Sequence, residues 1–287
     1  MTRNRPDFFI VGAPKAGTTS LYGYLSQHPH VFAPEIKEPH FFSCPEVLDT
    51  YYKISFVEDE QQYRQLYATV SDDQLAGDFS PSYLFSEYAA ERIHQTHPDA
   101  KIIMILRNPV ERAISHYLMD VRFGLQQLSF AECLVLDKKT RLFHREYVEV
   151  GQYVRQVRRF TERFAAENVL ILLHEDLIRS TVGTVGTILK FLGLSALCCD
   201  YVSRRNVHKM VRFSSMRKII RAKGVRSFGK LLPRSVKSKV VDWMSTSEKP
   251  EFQSETIKLA DIFRKENGQL SQLIDRNLDH WDKIGDD

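Results

Sequence analysis

Long apolar runs are missing from this sequence. No stretch approaches the roughly 20 consecutive apolar residues of a membrane-spanning helix, and residues 1–7 are not followed by the apolar segment of a secretory signal. The expectation is a soluble, cytoplasmic chain without a transmembrane segment. Cysteine is scarce as well. The four, Cys44, Cys133, Cys198 and Cys199, show no paired metal-ligand spacing, and two neighbours in sequence make a poor disulfide framework. A reducing compartment is the simplest setting. His28, His30, His40, His94, His97 and His116 stand at loop or helix spacings without the Cys or Glu partners of a zinc motif, so no metal is expected. Neither an internal repeat nor a Gly/Ser-rich linker divides the chain, which reads as a single domain over 1–287. One absence is local: residues 201–241 contain no Asp or Glu, although the chain has 36 acidic side chains and a net charge of only +4. That basic segment points to an anionic partner, a nucleotide phosphate or a peripheral membrane surface.

What is present is ordinary globular material, 43% hydrophobic and 26% charged over 287 residues, enough for a sizeable core. Phe8-Phe9-Ile10-Val11-Gly12 is a continuous apolar run closed by Gly-Ala-Pro, as in a strand buried on both faces. A helix follows, with Thr18 or Thr19 as N-cap and Leu21, Tyr24 and Leu25 at helical spacing before His28-Pro29. Lys101-Ile102-Ile103-Met104-Ile105-Leu106 repeats the buried-strand pattern, and Arg107-Asn108-Pro109 turns into a helix carrying Ala113, Ile114 and Tyr117. A helix over 153–166 leads to a third strand at 169–173, and weaker strands are expected at Val31-Phe32 and Leu75-Ala76. A helical pattern through Ile257, Leu259, Ile262, Phe263, Leu270, Leu273 and Ile274 runs on to Trp281, giving C-terminal helices over 252–281. Strands alternating with helices predict an α/β fold: a central parallel sheet in a three-layer α/β/α sandwich of the P-loop-like kind.

Between the first strand and helix lies Gly12-Ala13-Pro14-Lys15-Ala16-Gly17-Thr18-Thr19, where backbone N–H groups and the helix dipole converge on an anion. The glycine spacing matches a nucleotide-triphosphate loop, but the lysine lies inside the loop instead of after the second glycine. So placed, Lys15 reaches the bridging oxygen between a 5′-phosphate and a terminal group and stabilises the charge that builds there as that oxygen leaves. A small-molecule kinase using ATP remains the rival of the same type. A non-catalytic polyanion- or membrane-binding protein built on the basic segment is the rival of another class. Arg107 follows its strand directly, and Ser115 lies about two helical turns on, so that one anion can touch both. Lys37-Glu38-Pro39-His40-Phe41-Phe42 packs a cation, a base candidate, a second titratable group and two aromatics into one loop, as proton removal from a hydroxyl acceptor requires.

Pro14-Lys15-Ala16-Gly17-Thr18-Thr19-Ser20-Leu21 resembles the 5′-phosphosulfate loop of sulfotransferases that use 3′-phosphoadenosine 5′-phosphosulfate (PAPS). The run from Leu106 through Arg107, Arg112 and Ser115 to Tyr117 resembles their 3′-phosphate motif, and Lys37 to Phe42 resembles the Lys-Glu-x-His-Phe-Phe motif of heparan-sulfate-type sulfotransferases. Gly77-Asp78-Phe79-Ser80-Pro81-Ser82-Tyr83 is similar to their Ser-Pro-x-Tyr segment, and His174-Glu175-Asp176-Leu177 follows in the family's order. The resemblance implies a sulfotransferase with PAPS as co-substrate and no metal. It assigns Lys15, Glu38 (the base) and His40 to catalysis. Pro14, Lys15, Ala16, Gly17, Thr18, Thr19, Ser20, Arg107 and Ser115 are assigned to the nucleotide, together with Arg212 from a basic loop that closes over it in many relatives; Phe41, Asp78, Ser80 and Tyr83 are assigned to the acceptor. Several glycan-acting relatives have a lysine where this chain has Phe79, which shifts the expectation away from a strongly acidic sugar. The acceptor stays open among glycans, lipids, carrier-bound substrates and small natural products; nucleic acid is not expected.

Overall fold

A computed structural model describes residues 4–46, 56–195, 210–211, 245–246 and 252–283. Five strands, β1 (Phe8–Gly12), β2 (Val31–Phe32), β3 (Leu75–Asp78), β4 (Lys101–Leu106) and β5 (Val169–Leu173), form one parallel sheet in the order β2-β3-β1-β4-β5. Register follows the apolar runs: Phe8 pairs with Gly77 on one side and Lys101 on the other, and Ile102 to Leu106 pair with Val169 to Leu173. Every residue of β1, and all of β4 after Lys101, is buried, as expected of strands covered on both faces.

The direction of the crossovers decides the layers. From β1 the chain passes through α1 (Thr18–Leu25) to β2 at one edge; from β3 it passes through α3 (Ala89–Thr96), over β1, to β4. The short helix α2 (Glu60–Gln65) lies between β2 and β3. Right-handed crossovers in opposite directions put α1 and α3 on opposite faces. Contacts agree: α1 meets α9 (Thr181–Phe191), while α3 meets α7 (Tyr153–Thr161). The expected three-layer α/β/α sandwich is therefore present.

Two local expectations need correction. The N-cap of α1 is Gly17, not Thr18 or Thr19, because the chain leaves the loop through a left-handed residue (φ 101°) and Thr18 already begins the helix. Helix α7 ends at Thr161 and not near Ala166; one further turn closes with the Phe164 N–H donating to the Phe160 carbonyl, and a 3-10 turn, Ala166–Asn168, delivers the chain to β5.

Beyond β4, Asn108 caps α4 (Pro109–Phe123), its side chain accepting from the Val110 and Glu111 N–H groups with Pro109 at the first helical position. A second apolar cluster gathers Ala113, Tyr117 and Leu118 of α4, Phe130 of α5 (Phe130–Cys133), Tyr147 of α6 (Arg141–Tyr147), and Leu259 and Phe263 of α10 (Gln253–Leu273). The chain end returns to the sheet. Trp281 is buried, its indole N–H donates to Glu175 of α8 (His174–Arg179) at 2.9 Å, and its carbonyl accepts from Asn108 at 3.2 Å.

Candidate active site

In an open parallel sheet, ligands bind outside the carboxyl ends of the strands, where neighbouring connections leave in opposite directions. Here that point lies between β1, which departs toward β2, and β4, which departs toward β5. Residues 13–17 form one lip of the crevice and Arg107 the other.

The loop at β1 is tightly held. Ala13 N–H donates to the Ile105 carbonyl at 2.7 Å. A Cβ on Gly12 would lie 2.5 Å from the Leu84 Cβ, and one on Gly17 would lie 3.0 Å from Leu177 and 3.3 Å from the His174 ring in a left-handed conformation. Lys15 also has a positive φ, 70°. Glycine is thus required where the loop squeezes between α8 and the turn after β3. In the first turn of α1 the Ser20 N–H donates to the Gly17 carbonyl at 2.9 Å, the N–H groups of Thr18 and Thr19 have no carbonyl one turn earlier to bond, and no acidic side chain occupies that turn. A positive helix end with unsatisfied donors faces the crevice.

Lys15 is half-buried, and its ammonium donates to the Met119 thioether at 3.1 Å. Burial lowers its pKa to about 8, with Asp120 opposing the shift and Arg107 and Arg112 adding to it. Arg107 reaches the same loop: Nη1 donates to the Lys15 carbonyl at 3.2 Å, while Nε and Nη2 rest on the Glu111 carboxylate at 3.1 and 3.0 Å. Its own carbonyl accepts from the Tyr153 hydroxyl at 3.0 Å. Ser115 is buried on α4, and Met119 lies one turn beyond it on the same face. His174, against Gly17, is pushed down to about 4 by burial and then by Arg107, so it is neutral at physiological pH.

Glu38 approaches from the other side. Lys37 donates to one Glu38 carboxylate oxygen and, at 3.0 Å, to the Thr19 hydroxyl at the start of α1. The other oxygen lies 3.6 Å from His40 Nε2. His40 is buried in a left-handed conformation (φ 54°), and its Nδ1 lies 2.6 Å from the Ser82 hydroxyl, which also meets Ser43 at 2.7 Å. Burial lowers the His40 pKa, against the opposing pull of Glu38. Glu38 is therefore held between two nitrogen side chains and tied through Lys37 to the first turn of α1.

Two sets of contacts thus meet at the β1 loop and the start of α1: Arg107 bonds the Lys15 carbonyl, and Lys37 joins Thr19 to Glu38, which lies beside His40. Pro14, Ala16, Gly17, Thr18 and Ser20 belong to the same loop and first turn. Phe41 is half-buried and stacks on Tyr63 at 4.3 Å. Asp78, Ser80 and Tyr83 point inward instead, all 0% exposed, in a hydrogen-bonded cluster behind the Glu38 loop. Phe79 also faces the core, packed edge-on against Phe8 and Tyr22. Arg212 lies outside the described residues. Met119, Asp120 and the tie made by Lys37 were not anticipated; only the i, i+4 spacing from Ser115 to Met119 carried a signal. Among the described residues no group of three His, Cys, Asp or Glu is placed to hold a metal ion, and no helix is long and apolar enough to cross a membrane.

A cleft of about 700 Å³ opens between α6, α7 and the segment that follows Tyr83. It is lined by Arg141, Arg145, Arg155 and Arg159 against Glu46, Glu87, Glu149 and Glu266, with Phe85, Tyr88, Gln152 and Gln156 between them.

The sheet order and the crevice define an α/β protein of the phosphate-loop kind, with its candidate site at the β1/β4 switch. The chain belongs to the sulfotransferase domain family, whose model matches residues 5–272. A crystal structure of a sulfotransferase from Alicyclobacillus acidocaldarius superposes with a TM-score of 0.72 at 31% identity, covering 97% of this chain and 99% of that one. Human heparan sulfate glucosamine 3-O-sulfotransferase 6 is 32% identical over 206 residues, 69% of this chain and 55% of that protein. Human heparan sulfate glucosamine 3-O-sulfotransferase 3B1 is 28% identical over 201 residues, 69% and 49%. The chain spans about half the length of these curated relatives.

Proposed function

We propose that this chain transfers the sulfuryl group of PAPS to a hydroxyl acceptor. The observation that carries the reading is the convergence of three groups at one crevice: Lys15 in the β1 loop, Arg107 bonded to that loop from β4, and Glu38 tied to it through Lys37 and Thr19. The N–H groups of the loop and of the first turn of α1 hold the 5′-phosphate, and Arg107 with Ser115 holds the 3′-phosphate. When the acceptor oxygen bonds to sulfur, the bond from sulfur to the bridging oxygen breaks. Lys15 neutralises the charge left on that oxygen, and Glu38 takes the acceptor proton. His40, neutral and buried, keeps the Glu38 carboxylate oriented.

The kinase reading is weaker because Lys15 sits early in the loop, short of where a β/γ-phosphate lysine stands. A polyanion binder leaves the loop and Glu38 unexplained. For the acceptor we favour a carbohydrate hydroxyl. The chain's likeness to glycan-acting relatives supports this. In the same reading the protein works in a reducing compartment, in keeping with the free thiols of Cys44 and Cys133.

Titration calorimetry with 3′-phosphoadenosine 5′-phosphate (PAP), with 5′-AMP and ATP as competitors, tests the cofactor. Tight PAP binding that weakens by about 10²-fold in Arg107→Ala, the loss of one charge-assisted pair, is expected; preference for ATP, or no binding, sinks the reading. Radiolabelled transfer from PAPS to N-sulfated heparan oligosaccharides, neutral oligosaccharides and p-nitrophenol then sorts the acceptor.

A further inference from the structure

A carboxylate with no exposed surface sits behind the loop that carries Glu38. Asp78 ends β3 and is 0% exposed, yet its partners are all hydroxyls. Oδ1 accepts from Ser80 at 2.7 Å, and Oδ2 accepts from Tyr63 at 2.7 Å and Tyr83 at 2.8 Å. A buried, uncompensated charge is costly, and three donors to one carboxylate fix each hydroxyl hydrogen in direction. With their hydrogens committed to Asp78, Ser80 and Tyr83 present only lone pairs outward. Those lone pairs receive backbone N–H groups of the next layer: His40 N–H donates to Ser80 Oγ at 3.2 Å and Phe42 N–H to the Tyr83 oxygen at 3.5 Å. Tyr63, the third donor, stacks on Phe41.

We infer that Asp78 is a positioning residue for the acceptor loop: its carboxylate polarises Ser80 and Tyr83 so that they grip the backbone of residues 40–42 and thereby aim Glu38. It touches neither nucleotide nor acceptor. Its effect on transfer rests on the sulfotransferase reading; its effect on the loop does not. The groups facing it are Tyr63 from α2 and Tyr67 from the turn that follows it, Ser80 and Tyr83 from the turn after β3, and Glu38 from the loop itself. Burial raises its pKa to about 6 against the pull of the three hydroxyls. A proton taken up there converts an acceptor oxygen into a donor, so one of the three hydroxyls must turn away and the grip loosens.

The test compares Asp78→Asn, of nearly the same shape, with the parent protein. Expected are amide hydrogen exchange at His40 and Phe42 faster by on the order of tenfold, PAP affinity within about twofold, and kcat for the acceptor taken by the parent lower by on the order of 10²-fold, as for a misaimed catalytic group. The parent is expected to lose kcat as pH falls through about 6, where Asp78 takes up a proton, and the variant to show no such inflection; a residue that merely supports the fold would move stability without removing it. Exchange at both amides and kcat unchanged from the parent overturns the inference. Should Asp78→Asn fail to fold, Ser80→Ala and Tyr83→Phe each remove one link and keep the carboxylate. Faster loop exchange in these supports the inference, and unchanged exchange in both overturns it. If the parent does not bind PAP, the functional reading falls while the exchange measurement still decides the role of Asp78.

Discussion

Lys15 is held against a thioether, which accepts a hydrogen bond but carries no charge to compensate an ammonium. The folded chain releases that proton at about pH 8, against 10.5 for an ordinary lysine. Between those values the unfolded chain binds more protons, so the contribution of Lys15 to stability is poorest below about pH 8 and recovers as pH rises toward 10.5. Lys15→Met is therefore expected to raise stability at pH 7 by on the order of 1 kcal/mol, with the gain shrinking above pH 9, while transfer falls by about 10²–10³-fold. Urea denaturation at the two pH values, beside a transfer assay, checks both signs. The placement of Lys15, Arg107 and Glu38 around one crevice was legible in the sequence because each sits at a fixed offset from a strand end or within a compact motif. Met119 and Asp120 were not, since their relevance depends on which face α4 turns toward the β1 loop. Asp78, Ser80 and Tyr83 were recognised as a segment but expected to face the acceptor. A strand end with alternating faces can send such residues inward, and only the packing decides.

Helix α1 owes its place to the left-handed turn at Gly17. An alanine there meets both the φ of 101° and the side chains of Leu177 and His174, so Gly17→Ala is expected to cost about 1–3 kcal/mol. It should also weaken PAP binding, because the helix end must shift; denaturation and calorimetry on the same variant check the pair. The other elements were legible to differing degrees. Apolar runs of five or six residues gave β1, β4 and β5 directly, whereas β2 has only two residues and takes its identity from pairing Val31 and Phe32 with Leu75 and Ala76. The N-cap of α1 was misread because threonine preference is a local tendency, and here the loop's path overrides it.

At the scale of the molecule, the sequence pointed to a parallel sheet but not to its order, which depends on pairings between segments far apart in the chain. The crevice inherits that non-locality. Its lips come from residues 13–17 and Arg107, its wall from His174, and its backing from Trp281, whose hydrogen bonds join the ends of β4 and β5. No fragment holding one motif alone reproduces the site. A ligand that needs all these parts binds the folded chain and not the unfolded one, and so shifts the folding equilibrium. PAP at 100 times its dissociation constant is expected to add about 2.7 kcal/mol of stability. The thermal midpoint should rise with PAP and by much less with 5′-AMP; equal rises would mean that the 3′-phosphate is not read. The separation of these parts along the chain thus makes the melting temperature a reporter of the nucleotide, usable before any acceptor is known.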